Sequence, residues 1–133
     1  MRQIKFRALK NGFNEWVFGS LVSDTEGGFA IIQQRDNPIN HGAATGWCFG
    51  IQKYSVGQFT GLKDKNGVDI YEGDILQTRF KDKKINHRSF VRFFDKEFTT
   101  CDYEDYFDHN ACILEFSQDI IEVIGNIHES NVK

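Results

Sequence analysis

Residues 60–76 hold a dense group of side chains that could do chemistry, because carboxylates and glycines recur throughout this segment. Asp64, Asp69 and Glu72 are of the residue types that bind calcium through oxygen. The EF-hand loop places its glycine and its bidentate glutamate at fixed positions. Counted from Asp64, the glycine comes too early, and no glutamate stands where the bidentate ligand is needed. The spacing therefore favours a hairpin turn with solvated carboxylates over a calcium site.

Cysteine and histidine form a second candidate group at Cys101, His109 and Cys112. Zinc needs four nitrogen or sulfur ligands in a tetrahedron, and these spacings match no short zinc pattern. Together with Cys48 the chain has three cysteines and no CxxC pair, which indicates reduced thiols that pack as small apolar side chains. We therefore expect no bound metal and no cofactor.

Catalytic motifs are missing from the sequence. There is no GxSxG elbow, no P-loop and no GxGxxG segment. None of the four histidines has a serine or cysteine at a spacing typical of a nucleophile pair. The residues thus point to no reaction, and an enzyme whose site is assembled from distant loops stays an alternative.

An acidic stretch follows Cys101. It combines four carboxylates with three aromatic residues, and the carboxylates are Asp102, Glu104, Asp105 and Asp108. Paired carboxylates can serve acid–base chemistry, but that requires a fixed separation across a cleft, which adjacency in sequence does not provide. A solvated acidic face over an aromatic anchor is the favoured interpretation. The alternative is an acidic docking face for a basic partner.

A basic stretch at residues 81–88 precedes several phenylalanines, among them Phe90 and Phe93. Cations beside exposed aromatic rings can hold single-stranded nucleic acid, and the candidate contacts are Lys83, Lys84 and Arg88. The alternative is a charged turn over core phenylalanines. Nineteen acidic residues against sixteen basic ones give a net charge of −3. This balance disfavours a nucleic-acid partner, because phosphate neutralisation supplies most non-specific affinity.

The elements that position these groups are predicted to be mainly β. The chain has 133 residues, of which 40% are apolar and 26% charged, with thirteen phenylalanines and one proline. This is the size and composition of one globular domain rich in strand formers. Alternation of apolar and polar residues at 3–9, and short apolar segments bounded by turns elsewhere, predict strands at residues 3–9, 14–22, 29–34, 75–80, 89–94, 98–101, 112–116 and 120–127.

Two sequential blocks are expected within a single compact unit, residues 1–133. Residues 1–59 should form a hairpin-rich sheet with a long loop at 35–46. Residues 60–133 should form a small SH3-like barrel with one short helix at 102–110. In the second block, Asn66-Gly67 predicts a tight turn with positive φ, and the residues around Gly73 predict a second turn.

Several segments resemble the YopX family, small proteins of phages and prophages of Gram-positive bacteria. Residues 55–76 resemble its signature, residues 4–8 its opening and residues 121–129 its closing motif. The matching turn and signature positions are Gly61, Asp64, Asn66, Gly67, Tyr71, Glu72, Gly73, Asp74, Gly125 and Asn126. The resemblance agrees with a β-rich fold and specifies no reaction or ligand.

The expected function is therefore that of a non-enzymatic phage accessory protein that binds protein. The expected partners are further copies of the chain and a host or phage protein. The N-terminus lacks the apolar stretch of a signal peptide. No run approaches the roughly 20 apolar residues of a membrane span. We expect a cytoplasmic protein without a membrane partner.

Overall fold

The computed structural model describes residues 3–34, 46–79, 86–94, 97–102, 111–112 and 120–129. These residues are mainly β, as predicted, with a single-turn 3-10 segment at Lys53–Ser55. The strands are β1 (Phe6–Leu9), β2 (Trp16–Ser23), β3 (Phe29–Gln34), β4 (Gly46–Gly50), β5 (Gly57–Lys63), β6 (Asp69–Tyr71), β7 (Asp74–Arg79), β8 (Asn86–Phe94), β9 (Glu97–Asp102), β10 (Ala111–Cys112) and β11 (Ile121–Asn126).

Internal contacts divide the chain into an N-terminal unit, Met1–Gln58, and a C-terminal unit, Phe59–Lys133. The grouping of residues 1–133 into a single compact unit stays a prediction.

The N-terminal unit is an antiparallel sheet in the order β4-β3-β2-β1, with the first residues of β5 beside β1. Side chains alternate between two faces along each strand. One face carries the core, in which Ala8, Val17, Ile31 and Ile51 are buried. An isolated bridge between Lys10 and Ile51 ties the end of β4 to the end of β1. The core therefore lies on one face of the sheet.

The C-terminal unit contains the β5–β6 hairpin and a five-stranded antiparallel sheet in the order β10-β9-β8-β7-β11. One buried cluster comprises Ile70, Leu76, Val91, Phe98 and Ile121. A second cluster contains Ile75, Phe90 and Ile124. Leu76 and Ile75 are adjacent residues of β7, so the two clusters lie on opposite faces of this sheet. The sheet is thus packed on both sides, which explains the apolar runs in β7 and β8.

Several finer predictions have different outcomes. Among the described strands the C-terminal sheet is open, since β10 and β11 each pair with one neighbour, and no closed barrel is found. The SH3-like detail is therefore not confirmed.

Asp102 was predicted to begin a helix, which is wrong, because it pairs with Ser89 as the last residue of β9. The rest of that helix, residues 103–110, and residues 35–45 of the predicted loop lie outside the described residues.

In the described part of the chain, no helix has the length and apolar character that crossing a membrane would need.

Candidate functional site

The signature turn is organised by the Asp64 carboxylate. Its Oδ1 atom accepts hydrogen bonds from the backbone N–H groups of Asn66 at 2.8 Å and Val68 at 2.9 Å. Its Oδ2 atom accepts a third from the N–H of Val123 in β11, also at 2.9 Å. Asp64 is only 5% exposed. The prediction of a solvated carboxylate is therefore wrong here, because backbone donors replace water around the charge.

Glycine at position 67 is required by the backbone of this turn. Gly67 has φ of 79°, and its N–H donates to the Asp64 carbonyl at 3.0 Å. This confirms the predicted tight turn with positive φ, a conformation that favours residues without a side chain. Gly61 and Gly73, the other two signature glycines, also have positive φ, at 89° and 87°.

A second turn, between β6 and β7, brings three strands together. Asp74 is 1% exposed, and its Oδ2 atom accepts the N–H of Tyr71 at 2.8 Å. Gly73 donates its N–H to the carbonyl of Val91 in β8, and its own carbonyl accepts the N–H of Ile127, both at 2.8 Å. Asp74 is thus a buried carboxylate with a backbone donor, like Asp64. The turn fixes β7 between β8 and the end of β11.

The closing motif meets this turn directly. Asn126 is 5% exposed and pairs with Asp74 across β11 and β7. Its Oδ1 atom accepts the N–H of His128 at 2.9 Å. Gly125 lies at a bulge of β11, where it pairs with Ile75 after a register shift. The signature and the closing motif thus form one contiguous arrangement within the C-terminal unit, although they are far apart in sequence.

The remaining signature carboxylates, Asp69 and Glu72, lie in the β5–β6 hairpin and at the turn that follows it. Asp69 lies 3.0 Å from the Lys63 ammonium across the β5–β6 hairpin, and Glu72 is partly buried at the second turn. The Tyr71 ring packs against Phe59 at a centroid distance of 5.5 Å. These contacts align the hairpin, and none of them presents a nucleophile beside a base. The hydrogen bonds and contacts described above thus join turns and strands of the C-terminal unit.

The acidic stretch is only partly described. Asp102 ends β9, while Glu104, Asp105 and Asp108 lie outside the described residues. Its function as a docking face stays a prediction.

The described cation of the basic stretch, Arg88, and the exposed ring that follows it, Phe93, lie on different faces of β8. Lys83 and Lys84 lie outside the described residues, and Arg88 is exposed on β8. Phe93 is 54% exposed on the same strand, whereas Phe90 is buried. Pairing of β8 with β7 and β9 is regular, so Arg88 and Phe93, five residues apart, point to opposite faces. The strand therefore does not combine these two groups into one stacking platform.

The described residues contain no cluster of three or more histidine, cysteine, aspartate or glutamate side chains able to hold a metal. Of the sequence candidates, Cys101 and Cys112 lie in β9 and β10, while His109 is outside the described part of the chain. Cys48 is exposed in β4 as a free thiol.

The N-terminal sheet carries several exposed apolar side chains on the face opposite the core. We call this the outer face and define it by Phe18, Ser20, Val22, Ala30, Ile32 and Cys48. Ser20, Ile32 and Cys48 are neighbours across β2, β3 and β4, and Val22 faces Ala30. Phe18 is 44% exposed and Val22 is 39% exposed. The sequence reveals the alternation of these residues but not which of the two faces carries the core.

A family model described as YopX protein matches residues 5–132, nearly the whole chain. The chain belongs to the YopX family. The similarity that the signature and closing motif indicated is thereby confirmed. For a YopX protein, the arrangement around Asp64 and Asp74 explains why two distant segments carry the recognisable residues: they are hydrogen-bonded partners in one unit.

A crystal structure of protein EF1440 from Enterococcus faecalis is similar to this YopX chain. The similarity covers 96% of this chain and 95% of that chain, with 25% sequence identity and a TM-score of 0.58. No match was found among curated proteins. The comparisons thus give this YopX protein a family and a β-rich fold.

Proposed function

We propose that this YopX protein is a phage- or prophage-encoded accessory protein that acts in the cytoplasm by binding protein, including further copies of itself. It works through a surface and not through a reaction. An SH3-like arrangement of the C-terminal unit belongs to the same proposal, because small barrels often present binding surfaces.

The outer face is the observation that carries this proposal. On this face Val22 pairs with Ala30 and Ile32 pairs with Cys48, while Phe18 is 44% and Val22 39% exposed. Contiguous exposed apolar patches mark interaction surfaces, because water leaves them at a gain in free energy. Complete burial of one phenylalanine or valine side chain contributes about 1.5–3 kcal/mol. A partner that covers two such side chains gains enough to offset part of the cost of association.

The experiment measures mass by light scattering over a range of micromolar concentrations. We expect the unaltered chain to exceed the monomer mass, and the double variant Phe18→Ser with Val22→Ser to remain a monomer. Val68→Ser is the matched control, because Val68 is 47% exposed but belongs to the turn of the β5–β6 hairpin and is not a residue of the outer face. Circular dichroism establishes that all variants are folded.

Two results would contradict the proposal. An unaltered chain that is monomeric at every concentration, and that retains no host or phage protein on an affinity column, has no binding function of this kind. If association persists in the double variant and is lost in Val68→Ser, the binding surface includes Val68 and not the outer face.

A further inference from the structure

The β2–β3 hairpin of the N-terminal unit ends in a turn built on Asp24. Asp24 Oδ1 accepts the N–H of Glu26 at 2.9 Å and the N–H of Gly28 at 2.7 Å. The Asp24 N–H donates to the Gly28 carbonyl at 3.0 Å, and Gly27 has a positive φ of 86°. One carboxylate oxygen thus satisfies two backbone donors and fixes the turn.

The β5–β6 hairpin of the C-terminal unit has the same turn. Asp64 Oδ1 accepts from the residues two and four positions later, Asn66 and Val68, and the Asp64 N–H donates to the Val68 carbonyl at 2.8 Å. Asp24 and Asp64 therefore occupy equivalent positions in two hairpins.

The strand registers beside the two turns also agree. In the first hairpin, Ser23 pairs with Phe29. In the second, Lys63 pairs with Asp69. Each pair joins the residue before the turn aspartate to the residue five positions after that aspartate. By this correspondence, Val22 and Ala30 are the counterparts of two residues of the second hairpin, Leu62 and Ile70.

The second hairpin carries a strand across its end. Val123 of β11 donates its N–H to Asp64 Oδ2 at 2.9 Å, and the Ile121 carbonyl accepts the Lys65 N–H at 3.0 Å. Between these contacts, the Lys65 ammonium lies 3.5 Å from the Glu122 carboxylate. Ile70 and Leu62 pack in the same apolar cluster as Ile121 and Val123. The hairpin end is therefore a strand-binding site that the chain itself fills.

The β2–β3 hairpin presents the corresponding carboxylate oxygen, backbone N–H and apolar residues, and in the described part of the chain no strand crosses its end. There, Asp24 Oδ2 and the Thr25 N–H make no hydrogen bond. A cleft of about 200 Å³ is lined by Val22, Ser23, Asp24, Gly28, Phe29 and Ala30. The acceptor, the donor and the apolar floor of a strand-binding site are thus present together.

We propose that this cleft binds an extended strand of a partner protein that has apolar side chains at two alternate positions and a basic residue between them. The partner's backbone N–H donates to Asp24 Oδ2, its carbonyl accepts the Thr25 N–H, and its apolar side chains lie on Val22 and Ala30. Main-chain bonds supply affinity in such complexes, and alternate side-chain pockets supply specificity. The inference rests on the proposed function, since it names the class of protein partner.

The basic residue of the partner strand is inferred from the charges that the two turns carry. In the second hairpin the turn carries Lys65, and the strand that crosses it supplies Glu122. In the first hairpin the turn carries Asp24 and Glu26, and Thr25 stands in place of the lysine. The Lys53 ammonium lies over the Phe29 ring, 5.2 Å from its centroid. A lysine or arginine between the apolar positions therefore complements the two carboxylates of this turn.

The test is a fluorescence anisotropy titration of the full chain with labelled, capped peptides. The first peptide has the sequence of residues 119–127, and the second has the same sequence with Glu122→Lys. We expect the lysine peptide to bind more tightly than the first. A third peptide, with Glu122→Lys and Val123→Pro, should not bind, because proline lacks the N–H that Asp24 Oδ2 accepts.

The decisive variant is Asp24→Asn. Its side-chain oxygen can still accept both turn N–H groups, whereas its amide nitrogen replaces the free acceptor with a donor. We expect the lysine peptide to bind this variant about tenfold more weakly or worse, a loss of roughly 1.4 kcal/mol. Glu15→Gln is the matched control, because it neutralises an exposed carboxylate that precedes β2, at the opposite end of that strand from the Asp24 turn, and it should leave the peptide affinity unchanged.

Each other outcome overturns the inference. Equal binding to the unaltered chain and to Asp24→Asn removes the cleft as the site. Binding that Glu15→Gln weakens as much as Asp24→Asn does reflects the overall charge of the chain and not the cleft. If no peptide binds but light scattering still shows self-association through the outer face, the strand site fails while the proposed function stands. If self-association and protein capture are absent as well, both fail.

Discussion

The Oδ2 atom of Asp64 accepts the backbone N–H of Val123 at 2.9 Å across a sequence separation of 59 residues. This hydrogen bond joins the turn of the β5–β6 hairpin to β11, the strand of the closing motif. The ion pair between Lys65 and Glu122 links the same two elements at 3.5 Å. Because Asp64 is buried, its hydrogen bond is protected from competing water. The position of β11 therefore depends on one carboxylate oxygen as well as on apolar packing.

Asp64→Asn should destabilise the protein by about 1–3 kcal/mol. The substitution leaves the acceptor for Asn66 and Val68 but sets an amide donor against the Val123 N–H, so that a buried donor loses its partner. Asp24→Asn is the control, since the same change in the exposed turn should shift stability by less than about 0.5 kcal/mol. Urea denaturation followed by circular dichroism measures both. Equal stability of the two variants would refute the structural importance of the hydrogen bond to Val123.

Gly67→Val should destabilise the protein by about 1–3 kcal/mol through backbone strain alone. Gly67 has φ of 79°, and a Cβ placed there would meet no atom within 4 Å, so no steric collision contributes. A β-branched residue resists positive φ, whereas asparagine tolerates it. Gly67→Asn should therefore retain most of the stability that Gly67→Val loses. Thermal unfolding of the two variants side by side decides the matter, and equal losses would count against the explanation by φ.

The success of the turn prediction and the failure of the solvation prediction have different physical origins. Asn66-Gly67 determines its own turn, because positive φ is a local property of two residues. Burial of Asp64 depends on Val123, which local sequence cannot place beside it. The short strand β6 was not predicted either, since Asp69–Tyr71 is too short for a periodic pattern. Its apolar residue Ile70 is buried by contacts with other strands.

The error at Asp102 shows how an aromatic pattern can mislead. Tyr103, Tyr106 and Phe107 follow Asp102 with roughly helical spacing, which predicted a helix from residue 102. Pairing with Ser89 instead extends β9 through Asp102. The decisive partner is again a residue on another strand. The outer face has the same limitation, because alternation predicts two faces without indicating which of them remains exposed.

Gly19→Ala should destabilise the N-terminal unit more than a typical surface substitution does. A Cβ at residue 19 would stand 2.1 Å from the backbone carbonyl oxygen of Ile32, which cannot move aside without shifting β3. Overpacking of this kind costs about 1–3 kcal/mol or more. Ser20→Ala is the control, because Ser20 is the next residue of β2 and is exposed. Denaturation midpoints that are indistinguishable between the two variants would contradict the close approach of β2 and β3.

The final prediction concerns nucleic acid and separates the two partner classes. If the basic stretch bound a phosphate backbone, the triple variant Lys83→Ala, Lys84→Ala and Arg88→Ala would weaken binding and reduce its salt dependence by about one unit of slope for each cation–phosphate interaction removed. We expect instead no appreciable binding of single-stranded or duplex oligonucleotides at physiological salt, for the unaltered chain and the variant alike. The net charge of −3 repels a polyanion, and Arg88 and Phe93 point to opposite faces of β8. Fluorescence anisotropy at low and physiological salt measures this. Micromolar binding at physiological salt that the triple variant abolishes would replace protein binding by nucleic-acid binding as the function.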